Sequence, residues 1–326
     1  MHSIYNLKRP FWKLTVIPFV FLKMIWFSGD EVAGQQTSVV TNYMFTHLIF
    51  NPAAIGQSGG ISVTGLIRES WYGFKDEDGN KVTPEDIFLT VDAPIKILHG
   101  GVGGMVEQDK IGFFKNTIVK LGYDFKTELG PGFFSAGAQV DFQNGKFDYS
   151  KFQPASPNDN LLQDASSKSD MIFDVDVGLF YTVPDKYYVG LSGVQLLQSK
   201  GKNTNYQLKR TFFLEGGYQW EIPDHPAFQL QPSAIVMFDG ASFQFDVSGL
   251  VWYNNKFYGG LGYRLQDAVS ILAGLAIKGF RLGISYDIGT SKMMTYSNGS
   301  FEVVLNYVFK VEPDKFRRSY RNTRYL

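Results

Sequence analysis

The stretch "FEVVLNYVF", residues 301–309, decides the fold. Phe301, Val303, Leu305, Tyr307 and Phe309 share one parity, while Glu302 and Asn306 fall on the other. Successive side chains of a strand point to opposite faces, so this is a ribbon with one apolar, aromatic-ended side. That side is buried either against a second sheet or against lipid. The rest of the chain distinguishes the two.

Upstream of this ribbon the same period of two, not 3.6, dominates from Gly60 onward. Ile61, Val63, Gly65 and Ile67 share a face in "GISVTGLIR", as do Ile87, Leu89, Val91 and Ala93 in "DIFLTVDA". "TIVKLGYDF" sets Val119, Leu121, Tyr123 and Phe125 against Lys120 and Asp124. "MIFDVDVGLFY" sets Phe173, Val175, Val177 and Leu179 against Asp174 and Asp176. Extended along the chain, the pattern gives about fourteen candidate strands, each near the ~9–11 residues that cross a bilayer when tilted. The last, "FEVVLNYVF", must pair with the first, "GISVTGLIR", if the sheet closes.

The connections separate into two kinds. Long gaps, such as "ESWYGFKDEDGNKVTPE", residues 144–170, "LLQSKGKNTNYQ" and "GTSKMMTYSNG", follow odd-numbered strands. Tight ones, such as "TELGP", "VPD", "EIPDHP" and "YNN", follow even-numbered strands. Two odd-numbered gaps, near Asp239 and Gln266, are also short. Long loops on one side and turns on the other are the pattern of an outer-membrane barrel with its turns in the periplasm. The polar parity carries Asp92, Asp124, Asp141, Asp174, Asp176, Asp246, Asp287, Arg68, Arg264 and Arg281, and the other parity carries almost no charge. Aromatics near strand ends, Tyr181, Trp220, Phe238, Trp252 and Tyr307, suit interfacial girdles. A sheet in hydrocarbon must close, because an open edge leaves backbone groups without partners. The expected fold is therefore all-β: a transmembrane antiparallel barrel of about fourteen strands, with a short N-terminal plug or cap. A secreted β-sandwich is the weaker alternative.

Composition agrees. Aromatics make up 16% and charged residues only 19% of 326 residues, with zero net charge, which argues against a nucleic-acid binder and against disorder. The chain has no cysteine, excluding disulfides, thiol catalysis and a lipid-modified N-terminal Cys. Lys8, Arg9 and Lys13 precede the apolar run Leu14–Phe27, and "EVAG" follows, the form of a secretory signal cleaved after Gly34. The run is interrupted by Pro18 and Lys23 and is shorter than the ~20 residues of a spanning helix. The expected organisation is a signal peptide at 1–34, a periplasmic or plug segment at 35–59, a barrel at 60–310 and a basic periplasmic tail at 311–326. Removing the signal leaves 27 basic against 29 acidic residues.

No catalytic constellation emerges, and the expectation is a non-enzymatic protein without cofactor or metal. Asp174 and Asp176 share a face as acid/base pairs do, yet no nucleophile or histidine lies near them in sequence. Lumen carboxylates paired with Arg or Lys of neighbouring strands are the simpler reading. His2, His47, His99 and His225 lack metal-ligand spacing. "DEDGNKVTPED" at 76–86 superficially matches a calcium loop, but its glycine and last acidic residue are misplaced for an EF-hand. "GGVGGMVEQDKIG" lacks the Lys-Ser/Thr of a P-loop, and its glycines suit a curved strand or close packing of a plug. The tail "VEPDKFRRSYRNTRYL" carries Lys315, Arg317, Arg318, Arg321 and Arg324, a candidate docking segment on the turn side. Between the signal and the first strand, "MFTHLIF" ends at Asn51-Pro52, where proline stops a helix. This segment is expected to tuck into or cap the periplasmic mouth, held by Asn51, Pro52 and Gly56.

With these residues in view, the chain resembles a known family. "TNYMFTHLIFNPAAIG", "VTGLIRESWYGF", "DAPIK" and "GVGGMVEQDKIG" resemble the N-terminal half of the PorP/SprF family of type IX secretion system membrane proteins of Bacteroidota. "VPDKYYVGLSGVQLL", "RTFFLEGGYQW" and "ISYDIGTSKMMTYSNGSFEVVLNYVF" continue the resemblance from about Gln35 to Phe309. The family's early Tyr-Arg-x-Gln-Trp type stretch stands here as Ile67-Arg68-Glu69-Ser70-Trp71, which keeps Arg68 and Trp71. The resemblance implies a Gram-negative outer-membrane barrel that docks or anchors secreted surface proteins bearing a type B C-terminal domain, gliding adhesins among them. It also implies partners among other secretion components and a periplasmic peptidoglycan-binding lipoprotein. The competing class, which the lumen charges Asp174, Asp176, Arg264, Arg281 and Asp287 would equally allow, is a diffusion channel or nutrient transporter.

Overall fold

The structure, a computed structural model, describes residues 38–75, 79, 81–148, 168–204, 206–291, 295 and 297–310. The expected signal peptide, residues 76–78 and 80 of the loop considered for calcium, and the tail residues Lys315, Arg317, Arg318, Arg321 and Arg324 lie outside the described residues.

Alternating sequence becomes a continuous antiparallel sheet. Its strands are β1 (Ile61–Glu69), β2 (Glu85–Ile95), β3 (Gly100–Ile111), β4 (Phe114–Leu129), β5 (Gly132–Phe147), β6 (Lys168–Val183) and β7 (Tyr187–Val194). They continue with β8 (Thr211–Tyr218), β9 (Trp220–Glu221), β10 (Phe228–Phe238), β11 (Phe243–Tyr253), β12 (Phe257–Arg264), β13 (Ala268–Ile277), β14 (Phe280–Gly289) and β15 (Ser300–Phe309). Both β8 and the two-residue β9 pair with β10, so they form one stave interrupted at Gln219. Each stave pairs with its sequence neighbours, and β15 pairs with β1 from Ile61↔Phe309 to Glu69↔Phe301. The result is a closed 14-strand antiparallel barrel with one extra short strand, which removes every unpaired edge.

The two ends differ as the loop pattern requires. On the loop side the chain makes residues 70–84, 148–167, 195–210 and 290–299. The turn side has only short connections, such as 130–131, 184–186, 254–256 and 278–279. Strand β6 begins at Lys168 and β5 runs to Phe147, so the connection after β5 is shorter than the 144–170 expected from sequence. Strands β4, β5 and β6 each run 16 residues, beyond the ~9–11 that cross a bilayer, so their loop-side ends rise above the apolar band. That is why Asn144, Lys146 and Ser169 are polar on the outward face there.

Parity decides which way each side chain faces. In β15, Phe301, Leu305, Tyr307 and Phe309 are exposed on the outer wall, while Glu302, Val304 and Asn306 are buried inward. The outward face is an apolar belt that includes Ile67, Leu89, Leu121, Phe173, Leu191, Ile271 and Ile284. One expectation is corrected. Trp252 is not in an outer girdle: it shares parity with Ser248 and Leu250, is buried inward, and donates its indole N–H to Gln231 Oε1 at 2.7 Å. The lumen wall also carries apolar side chains. Leu66, Phe88, Met105, Phe213, Ile235, Met237, Leu250, Leu272 and Val304 form a buried inner apolar patch. What they pack against is the segment preceding β1.

Candidate functional site

Residues 38–59 run through the lumen from the loop side to the turn side in three short 3-10 turns, Tyr43–Phe45, His47–Ile49 and Pro52–Ala54. No regular helix forms, because a 3-10 turn of three residues fits a chain that must follow the wall rather than an axis of its own. Val40, Tyr43, Met44, Ile49 and Phe50 cover the inner apolar patch, with the Phe50 and Phe213 ring centroids 5.1 Å apart. The segment was expected to tuck into or cap the periplasmic mouth; it runs further, along the length of the barrel, because its apolar residues match a patch extending up the wall.

At the loop-side end the plug is held by charge. Arg68 Nη1 donates to Thr41 Oγ1 at 2.9 Å and to Glu302 Oε2 at 3.1 Å, and Nη2 donates to Asp287 Oδ2 at 2.7 Å. Arg264 Nε donates to Asp246 Oδ2 at 2.8 Å, and its Nη1 lies 3.3 Å from Asp287 Oδ2. Glu302 accepts from the backbone N–H groups of Thr41 and Asn42, both at 2.8 Å. Two guanidinium groups thus face four carboxylates, Asp246, Asp287, Glu302 and, 3.5 Å from Arg264 Nη1, Asp267, and the plug backbone donates to Glu302. Further out, Ser38 Oγ donates to Asp86 and Glu107, both at 2.9 Å. The described chain therefore starts at the loop-side mouth, whereas Lys310 ends it beside the turns. This overturns the expectation that the segment before the barrel and the C-terminal end lie on one side.

Midway, the plug lies against wall glycines. Asn51 Oδ1 accepts from Ala53 N at 3.0 Å, capping the Pro52–Ala54 turn, and Nδ2 donates to the Leu179 carbonyl at 3.1 Å. A Cβ on Gly137 would stand 2.5 Å from the Ala53 amide nitrogen, one on Gly190 2.8 Å from Asn51 Nδ2, and one on Gly178 would collide with Asn51 Oδ1. Three adjacent strands, β5, β6 and β7, lack side chains where Asn51 and Pro52 approach. Ser192 Oγ donates to the Phe50 carbonyl at 2.7 Å, and His47 Nδ1 lies 2.7 Å from Glu215 Oε2.

At the turn-side end, Gly56 donates its N–H to Asp92 Oδ2 at 2.8 Å and accepts from Lys126 Nζ at 3.0 Å. Its φ of 67° and its closeness to Pro94 and Gly101 leave no room for a side chain. The glycine-rich start of β3 is thus a packing surface for the plug. The plug separates two cavities. One of about 360 Å³ opens on the loop side, lined by Trp71, Arg68, Arg264 and Asp287, and one of about 400 Å³ opens on the turn side, lined by Phe45, His47, Trp252, Arg281 and Asn306.

Asp176 pairs with Lys120 of β4, Oδ2 to Nζ 2.8 Å, and accepts from Gln195 N at 2.7 Å. Asp174 has no cationic partner among the described residues. It accepts instead from the amides of Leu197 at 2.9 Å and Ser199 at 3.1 Å, pinning loop 195–210 inward over the loop-side mouth. In that loop Leu208 is buried, and burial raises the Tyr206 phenol above the usual tyrosine range. Trp71, at φ 54°, donates its N–H to Ser300 Oγ at 3.2 Å and sits at the rim, away from the Arg68 cluster itself. Arg281 stands apart from Arg264 and Asp287. Its guanidinium lies 4.6 Å from the Phe45 ring centroid and its Nε has no hydrogen-bond partner. Thr41, Asn42, Lys120, Glu215 and Glu302 complete the plug and lumen contacts and were not singled out from sequence as site residues. The inward parity of Glu302, Glu215 and Lys120 was the available signal.

A closed, aromatic-belted β-barrel whose lumen is filled by its own N-terminal segment is an outer-membrane barrel protein. The chain belongs to the type IX secretion system membrane protein PorP/SprF family, whose model matches residues 32–307. Among solved structures it is similar to the Ralstonia pickettii toluene transporter TbuX, at 13% identity over 84% of this chain and 95% of that one, TM-score 0.53. It is also similar to the CymD monoaromatic hydrocarbon channel, at 12% identity over 85% and 96%, TM-score 0.52. The Pseudomonas putida toluene transporter TodX matches at 11% identity over 85% and 96%, TM-score 0.50. At these identities the likeness is one of fold. No curated protein matches the chain.

Proposed function

We propose that this barrel is a plugged docking protein of type IX secretion. In this reading it holds secreted surface proteins with a type B C-terminal domain, such as gliding adhesins, at the outer membrane and/or links the machine to periplasmic components. Family membership supports a secretion role. The single observation that favours docking over permeation is the plug, tied to the wall at its loop-side end, middle and turn-side end by Arg68, Asn51 and Gly56. A diffusion channel needs a continuous aqueous path, and here two cavities are separated by packed residues. Residues 1–34 would be removed on export, and Lys315, Arg317, Arg318, Arg321 and Arg324 of the tail would dock a periplasmic partner. Trp71 at the loop-side rim would meet cargo.

Affinity isolation from native outer membrane, with identification of co-purifying proteins, tests the reading. The expected result is one or a few large secreted proteins together with secretion components, and loss of their surface display when the gene is deleted. Steady ion conductance of the purified barrel in planar bilayers, with no co-purifying cargo, would favour the channel instead.

A further inference from the structure

We propose that Arg281 anchors a carboxylate-binding site in the turn-side cavity, and that its ligand is the free carboxylate of a peptide segment entering from the turns. The proposal does not rest on the cargo reading, since it concerns the opposite mouth and would hold for a channel as well.

Four other inward cations each have an acceptor. Arg68 is paired with Asp287 and Glu302, Arg264 with Asp246 and Asp287, Lys120 with Asp176, and Lys126 with the Gly56 carbonyl. Arg281 is the exception. Among the described residues no carboxylate comes within ion-pair distance of it, and its buried Nε meets no acceptor. The residue is partly buried and its Nε is closed off from water, so an anion there would offset desolvation already incurred, and a guanidinium fork is shaped to take a carboxylate with two parallel hydrogen bonds. The cation lies over the Phe45 ring, beside Tyr258, whose buried hydroxyl also lacks a partner. An aromatic face attracts a cation but leaves its N–H donors unused. The site therefore holds a cation in place with donors to spare.

The cavity around it selects the ligand. Its volume of about 400 Å³ falls in the range of small-ligand pockets, and Gln57, Gln219, Gln231 and Asn306 line it with amide groups. Gln57 Nε2, Gln231 Oε1 and Asn306 Nδ2 are bonded within the barrel, so the atoms left to meet peptide N–H and C=O groups are Gln57 Oε1, Asn306 Oδ1, Gln231 Nε2 and the Gln219 amide. The lining carboxylate, Asp92, is already engaged by the Gly56 N–H. One cation in a partly aromatic wall beside one acidic side chain fits a single negative charge better than a phosphate dianion. Entry is from the lumen mouth, not through the strands, which separates the site from membrane lipid.

The test uses the full barrel in detergent and three probes: N-acetylated trialanine with a free C-terminal carboxylate, the same peptide as its C-terminal amide, and inorganic phosphate. Calorimetric titration should show saturable binding of the free carboxylate, weakened about tenfold or more for the amide and for Arg281→Gln. Arg281→Lys should retain part of it. Thermal unfolding separates a ligand site from a structural role. Arg281→Gln should unfold at the same or a higher temperature than the native chain, because it removes a partly buried cation with no ion-pair partner among the described residues, and only the native chain should gain stability from the peptide. Equal binding of peptide and amide, unchanged binding by Arg281→Gln, or a lowered unfolding temperature for that variant without loss of binding would overturn the proposal. Tighter binding of phosphate than of the peptide would also overturn it, assigning the site to a phosphate group.

Discussion

Arg68 on β1 and Asp287 on β14 lie with Nη2 and Oδ2 2.7 Å apart, although β15 runs between their strands. The guanidinium spans the closing seam of the barrel by passing over Glu302, its direct register partner on β15. All three side chains are nearly inaccessible to solvent, so screening by water and salt is slight. Replacing Arg68 with Gln leaves the buried Glu302 without a cation and Asp287 with Arg264 alone, which costs on the order of 3–5 kcal/mol. The barrel should then convert to its unfolded, slower-migrating gel form at a clearly lower temperature. An unchanged conversion temperature would show that the seam does not depend on this pair.

The glycine seat predicts a leak. Gly178→Val places methyl groups where Asn51 Oδ1 sits, so the capped turn at Pro52–Ala54 must move off the wall. Planar-bilayer recordings should go from nearly silent to steady conductance. Gly65→Ala, at a position with open space around it, should remain silent. Equal conductance in the two variants would mean that contact with β6 does not seat the plug.

The direction of the plug predicts sidedness. The chain lacks native cysteine, so single cysteines report cleanly. Val39→Cys, on the lining of the loop-side cavity, should react with a membrane-impermeant maleimide in intact cells. Ser58→Cys, exposed at the turn side, should react only after the outer membrane is permeabilised. The reverse pattern would invert the barrel.

Asp174 predicts a local release. Its carboxylate accepts from Val175, Leu197 and Ser199. Asp174→Ala should free loop 195–210, and trypsin should then cut at Lys200, Lys202, Lys209 or Arg210 roughly tenfold faster, in line with the ~1–3 kcal/mol cost of losing such acceptors. The barrel itself should keep its heat-dependent gel shift. Unchanged cleavage would mean that Asp176 at Gln195 N, Asp170 at the amides of Lys202, Asn203 and Thr204, and the buried Leu208 hold the loop without Asp174.

The wall was legible because lipid and lumen impose opposite chemistry on alternate residues, and "FEVVLNYVF" displays that opposition within one strand. The pairing of its strand with "GISVTGLIR" followed from closure alone. The same parity would have placed Trp252 inward with Leu250 and Ser248, but its position near a strand end made a girdle look sufficient. Partners across the lumen were not readable. Arg68 meets Asp287 and Lys120 meets Asp176 across intervening strands, and such pairings depend on the stagger between staves rather than on spacing along the chain. The path of residues 38–59 was also hidden, since 3-10 turns of three residues leave no period to detect. Asn51, Pro52 and Gly56 were identifiable as special positions, but their glycine counterparts on β5, β6 and β7 were visible only as glycines.

The residues that lock the plug's loop-side end are the ones that flank the seam. Arg68 belongs to the first stave and Glu302 to the last, and both grip Thr41. Sealing the ring and holding its lumen residues therefore draw on the same side chains. A ring sealed around an empty bore would leave Glu302 without its two amide donors, so the closing seam is fully satisfied only with the segment seated inside it.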